Sequence, residues 1–265
     1  MNDSLHLPIL KVHNASKRFG GLQALNDVCL EIQPNEIYGL IGPNGAGKTT
    51  FFNVMTGLYQ PDSGNFALDG KPYVPNAIYR VVMAGIARTF QNIRLFSEMT
   101  VLENVMVGQH MRTKSGILGA IFRSPSFKAE ERQIKQRAQA LLDYVGIGNR
   151  AHALAKTLSY GDQRRLEIAR ALATKPKLLA LDEPAAGMNA TEKLQLRTLI
   201  ERIRADGMSV LLIEHDVRLV MGLCDKVTVL DYGKVIAQGT PTEVQKDEKV
   251  ITAYLGVNHV VEAVH

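Results

Sequence analysis

Short apolar runs that end in polar residues recur along the chain and predict buried strands. Ile37–Ile41, Leu178–Leu181 and Val210–Ile213 are runs of this kind. Two acids follow the second run, and the sequence Glu-His-Asp follows the third. Runs of this length and composition are typical of strands buried on both faces of a parallel sheet. The pattern therefore predicts an α/β sheet with polar residues at the carboxyl ends of its strands.

A helical periodicity joins the last two of these strands. The spacing i, i+3, i+4, i+7 is occupied by Leu196, Leu199, Ile200 and Ile203. Such a stripe predicts an amphipathic helix, and Gly207 ends it. Further on, Val227–Leu230 and Val235–Ala237 flank a turn-forming sequence, which predicts a hairpin.

The middle of the chain has a different pattern. From about Thr100 to Leu158 the strand patterns give way to helical periodicity. One helical face there contains Ile134, Ala138, Leu141, Leu142 and Val145. The Gly/Ser/Pro-rich segment Ser115–Ser126 predicts a surface excursion between helices. We interpret about 96–164 as a helical insertion into a core of about 1–95 and 165–240, with 241–265 as a C-terminal extension.

Composition excludes several classes of protein. The 265 residues, 46% hydrophobic and 22% charged, are typical of a globular chain and not of a disordered, collagen-like or disulfide-scaffold protein. Cys29 and Cys224 are far apart in sequence and have no Cys or His residues beside them in a metal-binding spacing, so the sequence does not predict a zinc site. The low cysteine content indicates a reducing compartment. Met1–Leu10 does not resemble a secretion signal, and no apolar run approaches the ~18 residues of a spanning helix. We expect a soluble or peripheral protein.

The net charge of +5 is compatible with binding to phosphate ligands, anionic lipid or nucleic acid, and it does not decide among them.

The strongest motif follows the first apolar run. It fits the phosphate-loop pattern G-x-x-x-x-G-K-[ST] and consists of Gly42, Pro43, Asn44, Gly45, Ala46, Gly47, Lys48, Thr49 and Thr50. Backbone N–H groups of such a loop and the start of the following helix form an anion site. Lys48 is expected to reach the β- and γ-phosphates, and Thr49 to ligate Mg²⁺. The alternative is a glycine-rich turn without this role, which the strand-loop-helix context disfavours.

Two acids after the second run complete a nucleotide site. Asp182 is the expected carboxylate beside Mg²⁺, because the strand delivers it to the same edge of the sheet as the phosphate loop. Glu183 can orient the water that attacks the γ-phosphate or accept its proton. Paired acids at a strand end also cap helices, but next to a phosphate loop the catalytic interpretation is favoured.

From Leu10 to Gly256 the chain resembles the ATP-binding cassette (ABC) ATPases. Leu158–Asp162 is similar to their signature motif L-S-G-G-Q, to which Ser159 and Gly161 correspond directly. Ser159 is also suited to cap the helix that follows. Tyr160 and Asp162 depart from the pattern, and we assign Asp162 no binding role because a carboxylate near a triphosphate is unfavourable.

The resemblance implies roles for four further residues. Gln91 corresponds to the family's Q-loop glutamine, a contact of Mg²⁺ and water, and His215 to its switch histidine, expected to hold the γ-phosphate. Phe19 corresponds to the aromatic that stacks on adenine, the alternative being a core residue of a strand. Asn189 stands where an aspartate of the D-loop is common.

The resemblance also implies architecture, activity and partners. The fold is expected to be a P-loop NTPase (RecA-like) core with an antiparallel β subdomain and an inserted helical subdomain. Two cassettes, in a homo- or heterodimer, are expected to pair head to tail and hydrolyse ATP with Mg²⁺. Two integral membrane permease subunits are expected to dock near Gln91–Met99, and a substrate-binding protein to act indirectly. The chain would then lie peripherally on the cytoplasmic face of the inner membrane, without nucleic acid.

Finer features are similar to one branch of the family. Arg88–Phe96, the insertion around Gly116–Pro125 and the ending Ala253–Gly256 resemble the ATP-binding subunits of branched-chain amino-acid importers. Urea or amide importers and lipopolysaccharide exporters are alternatives, as is a regulatory ABC protein outside transport. Cassettes that act on ribosomes or DNA are disfavoured, because the chain has one cassette and no long coiled coil.

Overall fold

The computed structural model describes residues 7–110 and 125–254. The strands are β1 Leu10–Phe19, β2 Leu22–Ile32, β3 Ile37–Ile41, β4 Ser63–Leu68, β5 Lys71–Pro72, β6 Ile86–Arg88, β7 Leu178–Asp182, β8 Ser209–Ile213, β9 Lys226–Asp231 and β10 Lys234–Gly239. The α-helices are α1 Lys48–Met55, α2 Ile78–Ala84, α3 Val101–His110, α4 Pro125–Tyr144, α5 Tyr160–Leu172, α6 Ala190–Ala205, α7 Val217–Leu223 and α8 Pro241–Lys246. A further helical segment covers 248–254.

The chain divides into two compact units. The first contains the chain up to Arg88, then Lys177–Ala186 and the chain from Lys193. The second contains Thr89–Pro176 and Gly187–Glu192, so its boundaries lie outside the insertion of about 96–164 on both sides. Both sheets belong to the first unit.

The larger sheet has the strand order β10-β9-β3-β8-β7-β6. Its strands from β9 to β6 run parallel, and β10 is the antiparallel edge strand of the predicted hairpin. The smaller sheet, in the order β2-β1-β4-β5, is antiparallel throughout. The predicted architecture, a parallel core with an antiparallel β subdomain, is confirmed.

The strands predicted from apolar runs are fully buried. Every residue of β3, β7 and β8 is buried, as expected for strands covered on both faces. The two sheets share one apolar core with α1, whose Phe51 and Phe52 have no exposed surface. The predicted helix stripe is confirmed in α6, where Leu196, Leu199, Ile200 and Ile203 are all buried.

The second unit is mainly helical, in agreement with the prediction. Ile134, Ala138, Leu142 and Val145 are buried, and Leu141, predicted on the same face, is partly buried. At 100° per residue Leu141 lies at the border of the face that these residues define. The predicted excursion Ser115–Ser126 lies outside the described residues except for its last two, with which α4 begins. Within 7–110 and 125–254, no helix is both long and apolar enough to span a bilayer.

Leu211→Ala is expected to lower the free energy of unfolding by about 2–5 kcal/mol, because it opens a cavity in the middle of β8. Leu211 has no exposed surface, whereas Leu194, on α6, is 63% exposed. The matched control Leu194→Ala should change the free energy of unfolding by less than about 0.5 kcal/mol. Urea unfolding followed by circular dichroism measures both, and equal effects would contradict this placement of the core.

Candidate functional site

The phosphate-loop motif forms the connection between β3 and α1. Gly42 and Gly47 have φ of 152° and 102°, a backbone region that residues with a side chain rarely adopt. A Cβ on Gly42 would overlap the Leu230 carbonyl oxygen, and one on Gly47 would lie 2.7 Å from the Ala24 carbonyl oxygen. Both positions therefore require glycine, and the loop is packed tightly against its neighbours.

Helix α1 begins at this loop without a side-chain cap. The first N–H groups of a helix have no partner within the helix, and the helix dipole makes this end positive. The loop and the start of α1 thus offer a positive backbone site at the end of β3, and phosphate binding by residues 42–50 stays a prediction. Thr49 and Thr50 lie in this first turn.

Lys48 is the buried cation of the site. Its side chain is 7% exposed, and Nζ donates hydrogen bonds to the carbonyl oxygens of Gly42 at 2.7 Å and Pro43 at 2.9 Å. Burial lowers the pKa of Lys48, while the charges of Glu183 and Asp182 act in the opposite direction. The ammonium group therefore already lies in a field of carboxylates at the loop.

The strand register brings the predicted acids to the same edge. Ile213 of β8 pairs with Leu40 of β3 and with Asp182 of β7, so these strands end at one level. Asp182 is 3% exposed. Glu183 has φ of 45°, and its N–H donates to the Ile213 carbonyl oxygen at 2.8 Å. A positive φ at a residue other than glycine is costly and is found preferentially at functional sites.

His215 lies close to two carboxylates. Its Nδ1 is 3.7 Å from Oε2 of Glu183 and 3.9 Å from Oε2 of Glu214. The His215 side chain is 59% exposed, and that of Glu214 is fully buried. The structure thus brings two of the predicted site residues, His215 and Glu183, together.

Sequence reasoning missed Glu214. Its Oε1 accepts a hydrogen bond from the Ala185 N–H at 2.9 Å, and its Oε2 is buried as well. Burial raises the pKa of Glu214, and this outweighs the Ala185 hydrogen bond and the charge of His215, which lower it. The available signal was an acid directly after a strand buried on both faces, where its side chain has little access to water.

Phe19 ends β1 at the surface. Its ring is 42% exposed and meets Tyr59 edge to face, with centroids 5.3 Å apart. The ring is therefore not a core residue, which was the alternative to adenine stacking. Stacking on adenine stays a prediction.

The signature motif lies in the second unit. Ser159 is the N-cap of α5, and its side chain accepts from the Asp162 N–H at 3.2 Å, which confirms the predicted cap. Gly161 is buried, and a Cβ there would lie 2.8 Å from Oε1 of Glu192. Asn189 and Glu192 exchange hydrogen bonds between side chain and backbone, so asparagine retains a capping role at the start of α6.

Gln91 also lies in the second unit, on an exposed loop. In the predicted docking segment that follows, Phe96 is 46% and Met99 is 38% exposed. Ile93 and Leu95 are partly buried. Two apolar side chains of this segment, Ile93 and Leu95, are thus partly packed, and two others, Phe96 and Met99, form exposed apolar surface.

The oxygen donors at the sheet edge suit Mg²⁺. Across 7–110 and 125–254, no three His, Cys, Asp or Glu residues come together as a metal-binding group. Mg²⁺ does not need such a cage, since it commonly binds through one or two carboxylates together with substrate phosphates. The Asp182 carboxylate at the end of β7 and the Thr49 hydroxyl in the first turn of α1 fit that mode of binding.

The family model described as ABC transporter matches residues 25–186, more than half of the chain. This chain belongs to the ABC transporter family. A second model, described as branched-chain amino acid ATP-binding cassette transporter, matches residues 234–260.

Relatives within the ABC transporter family match along nearly the whole chain. The high-affinity branched-chain amino acid transport ATP-binding protein LivG of Escherichia coli is 46% identical, over 94% of this chain and 98% of LivG. The lipopolysaccharide export system ATP-binding protein LptB of Escherichia coli is 34% identical, over 93% and 97%. The ADP conformation of an ABC transporter's ATP-binding cassette superposes with a TM-score of 0.82 at 31% identity, over 94% and 99%. The P-loop NTPase fold of the ABC cassettes is thereby confirmed.

Glu214→Gln is expected to gain stability relative to the native protein as pH rises. A carboxyl whose pKa is raised on folding stabilises the folded state fully at pH values below its unfolded pKa, and this contribution is lost as pH rises through the folded pKa. Glutamine does not titrate and has no such loss. The unfolding free energy of Glu214→Gln minus that of the native protein should therefore grow from about pH 5 upwards and then level off. Urea unfolding of both proteins across this range measures it. A difference that is constant with pH would contradict the buried carboxyl.

Proposed function

We propose that this chain is the ATP-hydrolysing subunit of a membrane importer for branched-chain amino acids. The family, the P-loop geometry and the acids at the sheet edge support ATP hydrolysis. The identity to LivG, together with the C-terminal match at residues 234–260, supports the substrate class. The match along nearly the full length of LivG carries the proposal.

Nucleotide binding belongs to the loop at the start of α1. The backbone N–H groups of residues 42–50 bind the phosphates, and Lys48 donates to the β- and γ-phosphates. The exposed ring of Phe19 stacks on adenine. Ser159 and Gly161 of a second cassette contact the γ-phosphate from the other side, so two copies or two related chains pair head to tail around two ATP molecules.

Hydrolysis is an in-line attack of water on the γ-phosphorus, in which the bond to the β–γ bridging oxygen breaks and ADP leaves. Glu183 orients the water and accepts its proton, and His215, 3.7 Å from that carboxylate, holds the γ-phosphate. Thr49, Asp182 and Gln91 would hold Mg²⁺, which would supply positive charge to offset the negative charge that develops on the phosphates.

Transport requires further subunits. Two integral membrane permeases provide the pathway and dock on the segment Gln91–Met99, where Phe96 and Met99 expose apolar surface. A substrate-binding protein delivers the amino acid to the permeases. The chain therefore works as a peripheral protein on the cytoplasmic face of the inner membrane.

A lipopolysaccharide exporter subunit is the second candidate, favoured by the full-length match to LptB. The importer is favoured over the exporter, because the identity to LptB is lower than that to LivG and residues 234–260 match the branched-chain amino acid model. Urea and amide importers and a regulatory role outside transport have no specific observation in their favour.

Lys48→Ala is expected to abolish ATP binding, because it removes the buried cation of the phosphate loop. Glu183→Gln is expected to keep ATP binding and to lose turnover by about 100-fold or more, because glutamine cannot accept the proton. Fluorescent-nucleotide binding and phosphate release measure the two properties, with the exposed Lys249→Ala as a control that changes neither. Normal turnover in Glu183→Gln would refute its role.

The transport assignment predicts a leucine-dependent ATPase. Tagged protein, purified from native membranes with its partners, should hydrolyse ATP faster when leucine-loaded binding protein is added. The same preparation with Glu183→Gln should show no stimulation. Co-purification with a lipopolysaccharide-export complex would keep the ATPase and overturn the importer.

A further inference from the structure

A buried ion pair on the signature helix holds the loop that carries Gln91. Arg164 and Glu167, one turn apart on α5, have side chains that are 2% and 1% exposed. Arg164 Nη1 lies 3.1 Å from Glu167 Oε2. Both residues and the loop belong to the second unit.

Arg164 binds the loop through its carbonyl groups. Its Nη1 donates to the Phe90 carbonyl oxygen at 2.6 Å, and its Nη2 donates to the carbonyl oxygen of Gln91. The planar guanidinium thus holds two consecutive peptide groups from two separate nitrogens, a fixed fork that the single nitrogen of a lysine does not reproduce.

Glu167 binds the same loop through its N–H groups. Its Oε1 accepts from Phe90 N at 3.2 Å and from Arg94 N at 3.5 Å. Burial raises the pKa of Glu167, and the charge of Arg164 together with these hydrogen bonds lowers it. A buried ion pair is tolerated when hydrogen bonds satisfy its remaining polar atoms. Here the loop backbone supplies several of these bonds.

Tyr160, a departure from the signature pattern, joins this cluster. Its hydroxyl accepts from Arg164 Nη2 at 3.1 Å, and the guanidinium lies 5.5 Å from the centroid of its ring. Gly187, in the D-loop, packs against the same ring, since a Cβ there would lie 3.3 Å from Cε1. Tyrosine at this position therefore connects the signature helix to the D-loop as well.

We propose that Arg164 and Glu167 are positioning residues that make Gln91 and the signature helix move as one piece. The inference rests on the proposed function, in which Gln91 contacts Mg²⁺ and water while Ser159 contacts the nucleotide of a second cassette. A displacement of α5 by that nucleotide shifts the backbone at Gln91 directly. One ATP site thereby senses the occupancy of the other.

A double-mutant cycle in the full-length chain, purified with its membrane partners, tests this coupling. Arg164→Lys keeps the charge opposite Glu167 but replaces the two nitrogens of the planar fork with one, so the contacts to the Phe90 and Gln91 carbonyl oxygens lose their fixed geometry. We expect kcat to fall about 10- to 100-fold with the ATP dissociation constant unchanged. In a Gln91→Ala background the same substitution should cost nothing further. Arg150→Lys, an exposed position in the same unit, is the matched control and should leave kcat unchanged.

Additive losses of kcat in the cycle would overturn the proposal, because they would show that Arg164 acts independently of Gln91. If Arg164→Lys does not fold, as judged by its thermal melting curve, the cycle is run with Glu167→Gln, which keeps an acceptor for the Phe90 N–H. Unchanged turnover in Gln91→Ala would remove the role on which the inference rests. Loss of ATP binding in Lys48→Ala would still support the ATPase, so the two failures are distinguishable.

Discussion

Strand β8 is hydrogen bonded to β3 on one side and to β7 on the other, and Ile213 pairs at the end of both ladders. Because these pairs are parallel, the phosphate loop, the segment from Asp182 and the segment from Glu214 leave the sheet at one level. A shift of two residues in either ladder would move the carboxylates by about 6–7 Å relative to Lys48. The chemistry of the site depends on this register.

The register also concentrates charge where water is scarce. Lys48, Asp182 and Glu214 are all at most 7% exposed, and Glu183 adopts a positive φ beside them. Isolated charges in such a place are costly, and opposite charges at short range offset part of that cost. The fully buried apolar strands supply the stability that keeps these groups in place.

Local patterns predicted the larger part of this structure. The strands β3, β7 and β8, the helix after the phosphate loop and the Ser159 cap each depend on a few consecutive residues, and all are confirmed. Periodicity placed Leu141 on the same helical face as four buried residues, but it does not predict that a residue at the border of that face is only partly buried. The roles assigned to individual site residues remain proposals that rest on geometry and resemblance.

The hydrogen-bond partners of Glu214 and of the Arg164–Glu167 pair could not be predicted, because they are distant in sequence. Glu214 accepts from Ala185, 29 residues away, and Arg164 donates to Phe90, 74 residues away. Charged residues on a helix are usually exposed, so the burial of Arg164 and Glu167 becomes visible only in the folded chain. The departure at Tyr160 likewise acquires a physical meaning only through its contacts with Arg164 and Gly187.

The central claim is that the register of β3, β7 and β8 brings the phosphate loop and the acids together in one nucleotide site. A crystal structure of the Glu183→Gln chain with ATP and Mg²⁺ tests it most directly. The triphosphate is expected to lie against residues 42–50, with Lys48 Nζ and His215 in hydrogen-bonding distance of the γ-phosphate. Ser159 of a second copy is expected on the opposite side of that phosphate. A triphosphate bound away from this edge of the sheet would contradict the claim.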